Sequence, residues 1–338
     1  MKERDIFDVT IVGGGPVGLF AAFYSGMREL KTKVIESLPH LGGKVAYFYP
    51  EKIIRDVGGI PSLSGDELTA NLIEQAKTFD PDIVLEEQVT AFEKHDDSYF
   101  ILKSDEGSEH LTRTIILATG FGSLQPVELN HPQAHDYLET SLHYSIHDLA
   151  QFKQKRIVIS GGGDAAVDWA NELQSLAKEV TLIYRGENFK GIESNVTKMK
   201  KAGVHVITSS EIVDLHGERG QLSSITVENK QDGDRQVLKV DDLLINHGFH
   251  IDLGPIREWG LKMTDGGIHV DPSMATSIPG IFAIGDIADY DHKLPLIAGG
   301  FNEGPIAVNS AKLHIQPAES LSAIFSTDYE PLLKKDDE

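Results

Sequence analysis

An α/β fold made of two similarly built units is what this 338-residue sequence predicts, and three observations predict it. Short β-branched runs alternate with helical runs, the pattern of parallel βαβ units. A glycine turn between strand and helix occurs twice, with Gly161 following Gly13 by 148 residues. Two later strands end in glycine and a third follows them, as expected if the chain leaves its first unit and returns to it.

The elements follow in order. Ile6-Phe7-Asp8-Val9-Thr10-Ile11-Val12 reads as a strand, Gly13–Gly18 as a turn, and Leu19–Phe23 as the opening of a helix. Lys33-Val34-Ile35-Glu36 is the next strand, completing a βαβ unit. The pattern returns as strand Arg156–Ser160, turn Gly161-Gly162-Gly163-Asp164-Ala165-Ala166, helix Val167–Ala170 and strand Val180–Tyr184. Thr114–Gly120 and Asp242–Phe249 read as crossings between units, and Gly280–Asp286 as a strand back in the first. Gly299–Pro305 opens a further helix through Ala307. The expected domains are therefore 1–118 with 250–338, discontinuous, and an inserted 119–249. The acidic end, Lys334–Glu338, reads as a frayed tail.

Composition removes several functions. The chain carries 31 Lys+Arg against 52 Asp+Glu, a net charge of −21, which disfavours nucleic acid or an anionic membrane held by bulk charge. At 40% hydrophobic residues it can build a core, so global disorder is excluded. There is no cysteine, hence no disulfide, thiol nucleophile, CxxC pair or Cys-held metal, a pattern that fits the cytoplasm. Val9–Met27 is uncharged, but its glycines and Pro16 mark a buried strand and helix rather than a membrane span or signal.

A G-x-G-x-x-G turn lets backbone approach a pyrophosphate, while the helix N-terminus offers N–H donors. Gly13, Gly15, Pro16 and Gly18 form one such turn; Gly161, Gly163, Asp164 and Ala165 belong to the other. Both units are thus Rossmann-like dinucleotide-binding domains. The residue closing the second strand separates them. Glu36 stands 23 residues after Gly13 and suits ribose hydroxyls, hence FAD or NAD. The equivalent of Glu36 is Tyr184, followed by Arg185, with Lys190 close in sequence. A cation there fits a 2′-phosphate, hence NADPH. Glu187 stands where it can compete for that cation. Two dinucleotide sites in one chain point to hydride transfer between them.

These turns, with Ala118-Thr119-Gly120, Gly285-Asp286, Glu36–Gly43, Tyr49-Pro50-Glu51-Lys52 and Gly161–Trp169, resemble two-dinucleotide-domain flavoprotein reductases. Among them the chain is most similar to the thioredoxin-reductase-like ferredoxin–NADP reductases (type 2), over nearly its whole length. The resemblance implies FAD in the discontinuous domain and NADPH in the inserted one. It implies FAD contacts at Glu36 (ribose), Lys44, Tyr49 (stacking on the ring), Val89 (adenine side, through backbone), Phe121, Asp286 (ribityl chain) and Thr327. Phe325 would stack on the other ring face, supplied with Thr327 by the partner in a homodimer. Lys44 departs from the relatives' usual Gln. A cation there raises the flavin potential, on our reading. Thioredoxin reductases carry a CxxC pair in the NADPH domain; here Val158 and Ser160 lie near that turn. Bacillithiol-reductase-like relatives carry a cysteine where this chain has Val17.

The implied activity is hydride transfer from NADPH to flavin N5, then single-electron transfer to ferredoxin or flavodoxin, without a dithiol. Positioning carries the reaction and no side chain acts as a proton-transfer catalyst. Domain rotation is expected to bring nicotinamide to flavin. Alternatives are an NADPH oxidase or diaphorase with another acceptor, or a non-catalytic NADPH-sensing flavoprotein. Because an acidic chain repels an acidic acceptor, Lys52, Arg55, Lys198, Lys200 and Lys201 are candidate docking cations. His131, His135, His143 and His147 read as surface histidines, although His143 and His147 share i,i+4 spacing suited to a metal on one helix face. Ser62-Leu63-Ser64-Gly65 lacks the glycines of a nucleophile elbow.

Overall fold

The computed structural model describes residues 6–95, 98–146, 148–318 and 325–329, so His147 and the Lys334–Glu338 tail lie outside the described residues. The chain forms two compact units. One runs to Ser123 and resumes at Asp252; the other comprises Leu124–Ile251.

The main sheet of the first unit runs in the order Asp82–Val84, Thr32–Ile35, Phe7–Val12, Glu109–Leu117, Tyr99–Ser104, Val89–His95, and Ile281–Ala283 also pairs with Glu109–Leu117. Glu109–Leu117 is shared between two kinds of sheet. Its start pairs antiparallel with Tyr99–Ser104, and its end lies parallel to Phe7–Val12 and Ile281–Ala283. Ile115, Ile116 and Leu117 are consequently covered on both faces and fully buried. Each such side chain contributes about 1.5–3 kcal/mol by leaving water.

Helix Pro16–Met27 starts on a proline, whose fixed φ suits a first helical position and whose missing N–H costs nothing there. It crosses helix Ile297–Ile315 closely: a Cβ on Gly300 would lie 2.2 Å from Val17, and one on Gly304 3.4 Å from Ala21. Those glycines are therefore contact positions inside the helix, which begins two residues before Gly299. Ser64 caps helix Gly65–Lys77 through a reciprocal box with Glu67, at 3.1 and 2.8 Å. That is the structural role of the Ser62–Gly65 segment.

In the second unit a five-stranded parallel sheet runs Leu142–His143, Asp242–Asn246, Arg156–Gly161, Glu179–Ile183, His205–Ile207. Helices Asp164–Leu173 and Glu193–Lys201 and an antiparallel sheet of Ser210–Glu218, Gln221–Asn229 and Arg235–Lys239 complete it. The Asp242–Phe249 run divides: one strand stops at Asn246 and another starts at Phe249, with Gly248 at φ +100° between them.

One histidine reading is corrected. His143 is not a surface residue but a buried residue of strand Leu142–His143. Its Nε2 lies 2.8 Å from Asp242 Oδ1, Lys155 lies 2.8 Å from the other carboxylate oxygen, and Phe152 packs edge-on to the ring. Burial without a partner would be costly, and Asp242 supplies the partner. Among the described residues no helix is long and apolar enough to cross a membrane.

Candidate functional site

The first glycine turn is shaped by contacts that exclude any side chain. Gly13 has φ +109°, and a Cβ on it would fall 2.4 Å from the Ala118 carbonyl oxygen. A Cβ on Gly18 would fall 2.1 Å from the Gly13 carbonyl oxygen, so helix and strand meet at backbone distance. Gly15 caps helix Pro16–Met27 with no side-chain hydrogen bond, leaving first-turn N–H groups for a ligand. Gly43 crosses Gly15 so closely that its Cβ would fall 2.9 Å from Gly15 Cα, and the Gly42 N–H donates to the Gly14 carbonyl at 2.9 Å.

Glu36 closes this turn. The Gly14 N–H donates to its Oε2 at 2.7 Å, while the Leu38 N–H and Ser37 hydroxyl donate to Oε1 at 3.0 and 3.2 Å. A carboxylate offers about four acceptor positions, so capacity remains for a further hydroxyl. Val89 is buried at the start of Val89–His95, two residues after Glu87, whose N–H donates to the Glu36 carbonyl at 3.2 Å. Thr119 Oγ1, beside Gly13, is buried without a hydrogen-bond partner among the described residues.

Four further predicted residues come together near the turn. Lys44 Nζ donates to Asp286 Oδ2 at 2.8 Å and lies 4.4 Å from the centre of the Phe121 ring. Tyr49, at the end of helix Gly43–Phe48, has its phenol pushed up to about 12, first by burial, then by the charges of Asp286 and Asp56. Asp286 follows Gly285, which has φ +71° and whose Cβ would lie 3.5 Å from Val17 in the first turn of Pro16–Met27. Sequence reasoning missed what stands behind Gly285. Buried Glu303 accepts its N–H at 2.7 Å, and Lys293 donates to its carbonyl at 2.9 Å. Lys293 also pairs with Glu303, as does the Tyr290 hydroxyl at 2.8 Å.

In the second turn, Gly161 takes the place of Gly13: a Cβ there would fall 2.5 Å from the Asn246 carbonyl oxygen. A Cβ on Gly162 would strike the Tyr184 ring at 2.2 Å. Gly163 caps helix Asp164–Leu173 with no side-chain hydrogen bond and has nothing within 4 Å of a would-be Cβ, a cradle open to a ligand. Asp164 Oδ1 accepts the Ile192 N–H at 2.8 Å; the Lys190 N–H donates to the Gly162 carbonyl at 2.8 Å. Ala165 is exposed in the first helical turn. Arg185 and Lys190 are exposed and make no ion pair among the described residues. Glu187 does not take Arg185; its carboxylate accepts from Gln231 at 3.1 Å. His247, also unforeseen, shares a hydrogen bond with Ser160 Oγ at 2.8 Å, and burial followed by the Arg185 charge lowers its pKa.

Phe325 is 63% exposed, and its segment is anchored by Tyr329 on Phe79, which packs at Gly26 near the far end of helix Pro16–Met27. Thr327 is likewise exposed. Lys198, Lys200 and Lys201 are exposed on Glu193–Lys201 in the second unit, while Lys52 and Arg55 belong to the first. His131 Nε2 lies 3.4 Å from Asp214 and His135 is exposed.

Comparison with known proteins defines the class. The model of the pyridine nucleotide-disulphide oxidoreductase family matches residues 7–311, and the chain belongs to that family. Its place within the family is with the ferredoxin–NADP reductases, and it is an oxidoreductase. Ferredoxin–NADP reductase 1 of Bacillus velezensis is 52% identical over 332 residues, 98% of this chain and 99% of that protein. Ferredoxin–NADP reductase 1 of Listeria monocytogenes serovar 1/2a is 47% identical over 330 residues, 98% and 99%. The solved Lactococcus lactis thioredoxin reductase superposes with a TM-score of 0.78 at 27% identity, over 91% of this chain and 99% of that one. The family's name refers to a disulphide, yet this chain has no cysteine with which to form one.

Proposed function

We propose that the chain is an FAD-dependent ferredoxin (or flavodoxin)–NADP+ oxidoreductase, with FAD in the discontinuous unit and NADPH in the inserted one. The observation that carries this reading is the contrast between two turns of one build: a buried carboxylate closes the first, and an exposed Arg185 stands beside the second. The names of the relatives support the same choice. The residues fit the groups: glycines leave room for a pyrophosphate, uncapped helix starts offer N–H donors, and the Thr119 hydroxyl has no partner among the described residues.

When bound, FAD supplies hydride acceptance from NADPH and release of electrons one at a time. The chain's own residues bind and orient. Gly13, Gly15, Pro16 and Gly18 receive the pyrophosphate, Glu36 the ribose hydroxyls, and Val89 the adenine side through its backbone. Asp286 holds the ribityl chain, with Lys44 held against it and Phe121 beside Lys44. Tyr49 keeps its phenol proton and gives a neutral stacking face that excludes water. Phe325 and Thr327 lie away from this cluster within one chain, which favours their acting on a second copy's site in a homodimer. Gly161, Gly163, Asp164 and Ala165 receive the NADPH pyrophosphate, and Arg185 with Lys190 its 2′-phosphate. With a net charge of −21, docking an acidic acceptor falls to local cations such as Lys52, Arg55, Lys198, Lys200 and Lys201.

The test is an anaerobic titration followed by visible spectrum. A yellow protein is expected, bleached at low NADPH but only at high NADH. A protein that stays colourless after addition of FAD overturns the flavin assignment. One indifferent to NADPH overturns the second site.

A further inference from the structure

We infer that Glu303 and Lys293 are positioning residues for Asp286, acting as a buried clamp on both backbone groups of Gly285. The inference rests on the reading of Asp286 as an FAD contact.

Helix Ile297–Ile315 buries Gly300, Glu303, Gly304, Ala307, Val308 and Ala311, one continuous stripe with a carboxylate in it. A carboxylate 1% exposed costs several kcal/mol unless it is paired and hydrogen-bonded. An apolar residue would fill the stripe at less cost, so this placement calls for a reason. The partners supply one. Glu303 Oε2 is spent on the Gly285 N–H at 2.7 Å, and Oε1 on the Tyr290 hydroxyl at 2.8 Å and on Lys293. Lys293 then reaches the Gly285 carbonyl at 2.9 Å. One ion pair thus holds the peptide groups on both sides of a glycine at φ +71°, a conformation glycine adopts freely and also leaves freely. With both groups fixed, the peptide plane that leads into Asp286 is fixed too, and Asp286 is seen held from it against Lys44 at 2.8 Å. Tyr290 fits the same arrangement: burial and then its bond to Glu303 push its phenol up to about 12, so it remains a donor to the carboxylate. The carboxylate cannot gain such order from helix packing alone, because its three partners lie in the segment 285–293.

A positioning role predicts coupling between residues 303 and 286. FAD release from the full-length holoprotein, read by the fluorescence that free flavin regains on dilution, is measured in a double-mutant cycle. Glu303→Gln and Lys293→Met are each expected to speed release about tenfold, equal to about 1.4 kcal/mol. Lys293→Arg, which keeps the cation, restores most of the loss. In a D286A background Glu303→Gln adds less than about twofold, because the contact being aimed is already gone. Equal fold-changes in both backgrounds overturn the inference and leave Glu303 as a fold-stabilising residue. If D286A alone leaves release unchanged, the assignment of Asp286 fails instead. Should Glu303→Gln not fold, Tyr290→Phe removes one donor to Glu303 and no charge, and the same cycle applies at about threefold.

Discussion

The two glycine turns share a backbone and differ in side chains. Gly42 donates to Gly14 at 2.9 Å, and Lys190 donates to Gly162 at 2.8 Å, each 148 residues from its counterpart. In both, the residue 23 positions on lies against the middle glycine: Glu36 at one, Tyr184 at the other. The scaffold proposed to receive a pyrophosphate is thus common to both turns, and on that proposal the choice of nucleotide resides in a few side chains hung upon it. Glu36 spends its charge on Gly14 and presents acceptors. Tyr184 covers Gly162 with a ring stacked on Phe189, and leaves Arg185 free to present donors.

The largest effect comes from breaking the scaffold at one turn only. Gly18→Ala drives a methyl to 2.1 Å from the Gly13 carbonyl oxygen. It is expected to cost about 3 kcal/mol and to empty the protein of flavin. The second turn already carries Ala166 at that place, buried and tolerated, so Ala166→Gly costs only about 1 kcal/mol, from helix propensity. Denaturant melts and flavin content of the purified variants check this, and equal losses would dissolve the difference between the turns.

The next effect tests the side chains. Arg185→Gln is expected to weaken NADPH binding by about tenfold to hundredfold, about 1.5–3 kcal/mol for a hydrogen-bonded charge. NADH binding is expected to stay the same. Titration with both coenzymes checks it; equal losses would make Arg185 an ordinary member of the site.

A third prediction sharpens the first turn. Lys44 neutralises Asp286 at 2.8 Å. Lys44→Gln leaves that carboxylate bare beside the proposed flavin and opposes the negative charge gained on reduction. The midpoint potential should fall by about 30 mV, or about 1.4 kcal/mol for two electrons. An unchanged potential sinks the idea.

The fold class and the turn-forming glycines were legible in the sequence because backbone approach admits only glycine at Gly13 and Gly18, and because the motif repeats. Other groups were not legible, for physical reasons. Glu303, Lys293 and Tyr290 meet through a loop whose path no local pattern states. A signal was nonetheless present: positions 300, 303, 304, 307, 308 and 311 follow the helical period, so Glu303 falls within a buried stripe. His143 and Asp242 stand 99 residues apart and meet only through the parallel pairing of their strands. The surface reading of His143 failed because its partner Asp242 is remote in sequence, and the i,i+4 spacing with His147 has no helix to act on, since His143 sits in a strand.

The smallest effect isolates the electrostatics around the first turn. Tyr49 and Tyr290 both hold their protons to about 12, against the usual 10 for tyrosine. A group whose pKa is raised on folding stabilises the native state fully below its unfolded value. That contribution is lost as pH rises from about 10 toward 12. In an alkaline titration of tyrosinate absorbance, Tyr49 and Tyr290 should be among the late-titrating members of the nine tyrosines. Tyr49→Phe and Tyr290→Phe should each remove one late component. Asp286→Asn distinguishes the causes. It removes a charge that raises Tyr49, and it leaves Tyr290, whose proton is held by burial and Glu303, where it was. An earlier titration of Tyr49 in that variant, with Tyr290 unmoved, would place the Asp286 carboxylate close enough to Tyr49 to act on it directly. Unchanged titration of both would mean that burial and Asp56, without Asp286, govern Tyr49.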